Sequence, residues 1–180
     1  MDIYMPMSTT ARHNKLISAL IGNFFALLQT QQAHILHEEC SLVYWGKKSE
    51  PTSFKLVDIS EIEDVNEFKE IIIEDLYYVQ PDFMLFNINP YIENKRQTRT
   101  AGCPDLIVEI WSRDNTKNDK AFLQNLYATS NITEHWYIEQ DSNKVICYLG
   151  KNKLKDQCLT DILQTHGGFK LDLRYLAIYP

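Results

Sequence analysis

YVQPDFMLFNI (78–88) and CPDLIVEIWS (103–112) are the two stretches on which the reading of this chain turns. Each reads as a strand, built from aromatic, β-branched and leucine residues between polar segments. Each also carries an acidic residue among apolar ones: Asp82 directly after Pro81, and Glu109 inside DLIVEIWS. A carboxylate amid Leu, Ile and Val is costly to bury unless something compensates its charge. A divalent cation shared between two carboxylates on neighbouring strands would do so, because hard Mg2+ takes oxygen ligands and keeps some of its waters. A metal held in this way lowers the pKa of a bound water and stabilises charge on a phosphoryl oxygen. Asp82 and Glu109 thus form a candidate acidic metal site suited to phosphodiester hydrolysis. The alternative is that both lie on the exposed face of an antiparallel sheet.

Working outward, residues 10–30 place Leu16, Leu20, Phe24, Leu27 and Leu28 at the spacing of an amphipathic helix, with Thr9 or Thr10 as its cap. HILHEECSLVYW (34–45) reads as one strand, and FKLVDIS (54–60) as a further candidate. NPYIENKRQTRTAG (89–102), with Lys95, Arg96 and Arg99, reads as a polar connection. A helix is expected at about 116–129, with Phe122, Leu123, Leu126 and Tyr127 on its apolar face. EHWYIEQ (134–140) and KVICYLG (144–150) read as strands joined by the turn residues Asp141, Ser142 and Asn143. A weaker strand around 153–159 and a final apolar piece, FKLDLRYLAIYP, complete the chain. Helix, strands, helix, strands is the order of an α/β or α+β domain with a central mixed sheet.

The 180 residues suffice for one domain with a sizeable core, and 44% hydrophobic with 23% charged is a globular composition. No apolar run approaches the roughly 18 residues of a spanning helix. The first residues, MDIYMPMSTTARHNK, lack a basic segment followed by an apolar one. The expected compartment is therefore cytoplasmic, without a membrane partner. Cys40, Cys103, Cys147 and Cys158 are scattered without CxxC spacing and read as buried or half-buried free thiols. The net charge of -6 is concentrated: residues 57–76 hold eight acidic residues and one lysine, leaving 17 of the 18 basic and 16 of the 24 acidic residues elsewhere. A basic footprint for phosphate backbones is missing, so any contact with DNA is expected to be local.

Taken together, PDF at 81–83, CPDLIVEIWS at 103–112, Asp119, Tyr127 and EHWYIEQD at 134–141 resemble the Uma family of restriction endonucleases, within the PD-(D/E)XK nuclease superfamily. The resemblance spans roughly residues 8–150, and STTARHNKLISAL is similar to the family's first helix with its histidine, here His13. It implies a restriction-endonuclease-like α/β core, a central mixed β-sheet flanked by helices. It also implies that Asp82 and Glu109, 27 residues apart (82 to 109), are the two metal-ligating carboxylates. The expected arrangement is a single domain over 1–180 with an acidic insertion around 50–77.

The chain departs from that pattern at the lysine. The superfamily position two residues after the glutamate is Trp111, and the family's position four residues after Asp119 is Leu123. Lys120 is the natural substitute, because residues 116, 120, 123 and 127 share one helical stripe; Lys117, on the stripe of Ala121 and Gln124, ranks behind it. The resemblance therefore implies an endonuclease acting on DNA with Mg2+ or Mn2+, with Asp82, Glu109 and Lys120 as catalytic residues. Trp111 and Leu123 favour a rival: a degenerate, inactive nuclease fold serving as a nucleic-acid or protein binding module. A structural homodimer is a third reading. Asp105 lies about 13 Å from Glu109 along the strand, at ~3.3 Å per residue, and suits a loop-end or capping role. His34 and His37 are spaced to opposite sides of an extended segment. Tyr127, Trp136 and Tyr137 read as core packing, and Ser112 lacks the partners of a serine hydrolase.

Overall fold

Proline, glycine and strict alternation divide the apolar stretches between two sheets. The computed structural model describes residues 3–4, 10–28, 34–37, 41–45, 55–56, 76–87, 91–92 and 99–178. In chain order the elements are β1 (Ile3–Tyr4), α1 (Ala11–Leu28), β2 (His34–His37), β3 (Ser41–Trp45), β4 (Lys55–Leu56), β5 (Leu76–Val79), β6 (Phe83–Phe86), β7 (Tyr91–Ile92), β8 (Arg99–Ala101) and β9 (Leu106–Trp111). There follow α2 (Lys117–Thr129), β10 (Glu134–Glu139), β11 (Lys144–Leu149), β12 (Asn152–Lys153), β13 (Gln157–Cys158), β14 (Ile162–Gln164), β15 (Lys170–Asp172) and a 3-10 turn at Arg174–Leu176. Among these residues the first sheet runs β12-β11-β10-β9-β6-β2, with β13 also on β11. The second runs β1-β5-β3-β8-β7, with β4 on β3, and β14 pairs with β15.

The first sheet is mixed: β9 and β10 are parallel, as a crossover through α2 requires, while β6 against β9 and β10 against β11 are antiparallel. Its two faces follow the alternation of β9. Leu106, Val108 and Ile110 pack with Leu16, Leu20 and Phe24 of α1, where the Phe24 and Phe83 rings stack at 5.2 Å. Ile107 and Trp111 pack on the other side with Leu123, Leu126 and Tyr127 of α2 and with Leu42, Tyr44 and Val79 of the second sheet. The fold is thus the expected α/β core, a mixed sheet flanked by helices.

Three readings of the strands are corrected. The stretch 78–88 is not one strand but the end of β5 and the whole of β6, in different sheets. Pro81 has no N–H for a ladder and confines Gln80 to extended backbone, so the chain leaves one sheet and enters the other there. The stretch 34–45 is likewise two strands, β2 in the first sheet and β3 in the second; in the sequence, the consecutive charges of Glu38 and Glu39 interrupt the apolar run between them. The polar connection 89–102 contains β7 and β8 of the second sheet. Gly102, at φ 120°, carries the chain from β8 toward β9 through backbone that favours glycine. Cys103, expected to be at least half-buried, is exposed beside that bend, whereas Cys147 is buried and its thiol is pushed up to about 11 by burial. The acidic segment 57–75, Cys40, Lys95 and Arg96 lie outside the described residues.

The helices start as their caps dictate. Thr10 accepts the His13 N–H at 3.1 Å, and Thr116 and Asp119 form a reciprocal capping box at the head of α2. Thr116→Ala should lower stability by about 1 kcal/mol, and Phe24→Ala by about 3–5 kcal/mol. Urea unfolding of the two variants measures the difference; equal losses would contradict this ranking.

Candidate functional site

Register and parity bring the two carboxylates together. Phe83 of β6 pairs with Val108 of β9, so the antiparallel register carried back one residue sets Asp82 opposite Glu109. Asp82 shares the parity of Met84 and Phe86, and Glu109 that of Ile107 and Trp111, all on the face packed against α2. Asp82 is 1% exposed and Glu109 4%. The alternative of two carboxylates on a solvated sheet face is thereby excluded.

Asp82 Oδ2 accepts the Ile110 N–H at 2.6 Å, across the strand pair. Asp82 Oδ1 is buried 3.0 Å from His13 Nε2 and receives no well-directed hydrogen bond. His13 is brought there by the way α1 is tied down. The Thr10 hydroxyl donates to Gln140 Oε1 at 2.6 Å, and the Gln140 N–H donates to the Trp111 carbonyl at 2.9 Å. The head of α1 is therefore fastened where β9 and β10 end, and His13 approaches the site as its place in the first helix allows.

Glu109 Oε1 accepts a hydrogen bond from the Tyr127 hydroxyl of α2. Burial, and then the charge of Asp82, hold the Glu109 carboxyl well above the usual carboxylate range, while the Tyr127 bond pulls the other way. Burial, followed by the charge of Glu109, raises the Tyr127 hydroxyl well above its ordinary value, so it remains a donor. Beside them, Tyr137 pairs in register with Glu109 and lies against Trp111 at 4.3 Å between ring centroids. The Tyr137 hydroxyl bonds His135 Nδ1 at 2.8 Å, and His135 Nε2 faces the Gly150 carbonyl at 2.9 Å. Burial lowers the His135 pKa, so the ring is neutral: Nε2–H donates to the carbonyl and Nδ1 accepts from Tyr137.

The remaining candidates fall differently. Lys120 Nζ stands 5.0 Å from the centroid of the Trp111 ring, a cation–π contact on the face that Glu109 also occupies. Leu123, at the family's lysine position, is 2% exposed and part of the core. Asp119 serves as the capping residue of α2. Asp105 accepts the Asn87 N–H at 2.7 Å, the loop-end role its spacing suggests. His34 and His37 lie on β2, and their side chains are outside the described residues. The hydrogen bond from Tyr127 to Glu109 is the contact that a core-packing reading misses. A buried tyrosine hydroxyl needs an acceptor, and Glu109 was the acidic residue in the strand before α2. Among the described residues no group of three or more His, Cys, Asp or Glu side chains is arranged to hold a metal ion. A cation here would rest on two carboxylates and its own waters.

The mixed sheet between helices thus carries two buried carboxylates facing each other, Asp82 just before β6 and Glu109 within β9. Residues 66–167 match the model of the family described as "Uma2: Putative restriction endonuclease", and the chain belongs to this family. No curated protein matches the chain. Among solved structures, it is similar to a crystal structure of a "putative nuclease belonging to DUF820" from Anabaena variabilis, with a TM-score of 0.59 over 96% of this chain and 84% of that one. At 13% identity that likeness is one of fold. No helix among the described residues is long and apolar enough to cross a membrane.

Folded Glu109 holds its proton more tightly than an unfolded glutamate does near 4.5. Its contribution to stability is therefore full below that value and is lost as pH rises through the folded value. Glu109→Gln cannot ionise, so its stability relative to wild type should climb through this window, by up to about 1.4 kcal/mol per pH unit. Urea unfolding in chelator at a series of pH values tests this, and parallel curves for the two proteins would refute it.

Proposed function

We propose that this chain is a metal-dependent endonuclease that hydrolyses phosphodiester bonds of DNA, with Asp82 and Glu109 holding Mg2+ or Mn2+ and Lys120 supplying a catalytic cation. One observation carries the reading. Asp82 Oδ1 is buried without a well-directed hydrogen bond, opposite a second buried carboxylate on the same sheet face. Two carboxylates without a third protein ligand suit a hard, hydrated cation such as Mg2+, which keeps several waters, better than a metal that needs a full protein cage. When bound, such an ion lowers the pKa of a water and stabilises charge on a phosphoryl oxygen.

The chain's own residues supply the rest. The Ile110 amide and the Tyr127 hydroxyl hold one oxygen of each carboxylate, which fixes the direction of the other. His13 stands against Asp82 Oδ1 and balances its charge when protonated. Lys120 carries a positive charge on a flexible stem, suited to orienting a water or neutralising charge that develops on the phosphoryl group. Outside the acidic segment the chain is close to neutral, so its hold on DNA is short and local, without the long basic track of strong backbone binders.

A second reading, a degenerate nuclease fold that binds nucleic acid or protein without cutting, is favoured by a specific observation. Trp111 fills the motif's lysine position, Leu123 is packed in the core, and the Lys120 ammonium rests over the Trp111 ring.

Thermal melts with millimolar Mn2+, beside a plasmid-nicking assay, separate the two. Wild type should melt several degrees higher with metal, since saturation at about 100 times Kd contributes about 2.7 kcal/mol. Asp82→Asn should lose that shift and be no less stable without metal. Lys120→Ala should keep the shift while nicking falls by about a hundredfold or more. Metal stabilisation without nicking in the wild type would select the degenerate fold, and neither effect would dismiss the metal site.

A further inference from the structure

Each of the two buried carboxylates has one oxygen already engaged. Asp82 Oδ2 accepts the Ile110 amide at 2.6 Å, and Glu109 Oε1 accepts the Tyr127 hydroxyl. On Asp82 the oxygen left over is Oδ1, buried without a well-directed hydrogen bond, and the Glu109 carboxyl also interacts with the backbone and carboxyl of Asp82. The two donors differ in kind. The Ile110 amide belongs to β9, and no side-chain change removes it. The Tyr127 hydroxyl comes from α2, where Leu123 and Leu126 bury the same helical face. A cation gripping Glu109 through both oxygens would have to approach Oε1 from beside the hydroxyl proton that already occupies it. One-oxygen ligation avoids that opposition.

Cations differ in how much this restriction costs them. Mg2+ and Mn2+ are satisfied by single oxygens from one or two carboxylates and complete their shells with water. Ca2+ takes six to eight oxygens and commonly uses carboxylates with both. We infer that Tyr127 is a positioning residue that confines Glu109 to single-oxygen ligation and so sets the cation preference of the site, toward Mg2+ and Mn2+ and against Ca2+. The inference rests on Asp82 and Glu109 being the metal ligands.

Tyr127→Phe removes the hydroxyl and keeps the ring in the core. The experiment is calorimetric titration of Mn2+ and, separately, Ca2+ into the full chain as wild type, Tyr127→Phe and Asp82→Asn, with a metal-free melt of each to establish folding. Loss of an outer hydrogen bond to a ligand weakens a metal by about 10–100-fold. Mn2+ should therefore bind Tyr127→Phe about tenfold or more weakly, while Ca2+ binding holds or strengthens. The preference for Mn2+ over Ca2+ should shrink by at least that factor. Proportionate weakening of both metals, as a purely structural role would give, overturns the inference, and so does unchanged binding of both. A wild type that binds neither metal, or an Asp82→Asn that binds as well as wild type, instead overturns the metal site itself and this inference with it. Should Tyr127→Phe fail to melt cooperatively, Mn2+-soaked wild-type crystals decide. Glu109 ligating through Oε2 alone, with Tyr127 still on Oε1, supports the inference, and a two-oxygen Glu109 overturns it.

Discussion

Asp82 and Glu109 are buried on one face of one sheet, opposite each other across β6 and β9, and like charges so placed repel strongly where water is scarce. Each neighbouring element answers part of that repulsion. The β9 backbone gives Asp82 its amide hydrogen bond. Helix α1 brings His13 to within 3.0 Å of the same carboxylate, and α2 brings the Tyr127 hydroxyl to Glu109. The proton that Glu109 tends to retain answers the remainder. A site of this kind is stable only when all of these elements are in place, because a buried charge stripped of one partner costs more than the partner's bond contributes. That requirement ties the local geometry of the carboxylates to the packing of the whole sheet.

The tie explains details that look unrelated one at a time. Thr10 caps α1 and also bonds Gln140, so the helix start is fixed in both direction and position relative to the ends of β9 and β10. The capping box of Thr116 and Asp119 sets where α2 begins, and hence which turn of the helix faces Glu109. Starting the helix one residue later would turn the stripe of Leu123 and Tyr127 by about 100° and remove the hydroxyl from its acceptor. Beneath, the neutral His135 and Tyr137 satisfy each other without adding charge to a face that already carries two carboxylates.

What could be read from the sequence follows the same physics. β9, α2 and the hairpin of β10 and β11 were legible because each carries its own period and its own turn or cap residues. The pairing of Asp82 with Glu109 was legible because a carboxylate inside LIVEIW has few reasons to be there. The division of 34–45 and 78–88 between two sheets was not. Apolar residues look alike whichever sheet buries them, and Pro81 marks an interruption without saying where the chain goes next. The second sheet itself was largely hidden, since β7 and β8 are two and three residues long in a polar stretch. Tyr127 was legible as a core residue, and it is one; that its hydroxyl ends on Glu109 is settled by the crossover from β9 through α2, which a linear pattern does not contain. His13 reaches Asp82 for a similar reason, through a helix fastened at Gln140, far along the chain.

The departure at the lysine is the point where fold and chemistry meet. Trp111 stands two residues after Glu109 and so points from the same face, where an indole fills volume that a lysine stem and its water would otherwise occupy. Its ring is packed on one side by Tyr137 and approached by the Lys120 ammonium at 5.0 Å. Such a contact is worth about 0.5–1 kcal/mol at an exposed site, far less than a buried ion pair costs to break. The ring therefore gathers the ammonium near the face of Glu109 without locking it there. A lysine at Leu123 would have to bury its charge among Leu126, Tyr127 and Ile107; one turn earlier, at Lys120, the side chain is only partly buried and keeps its hydration. Moving the cation from the strand to the rim of the helix lets the core under α2 remain apolar. In the nuclease reading we propose, the Lys120 ammonium rests over the Trp111 ring instead of standing on the strand beside Glu109.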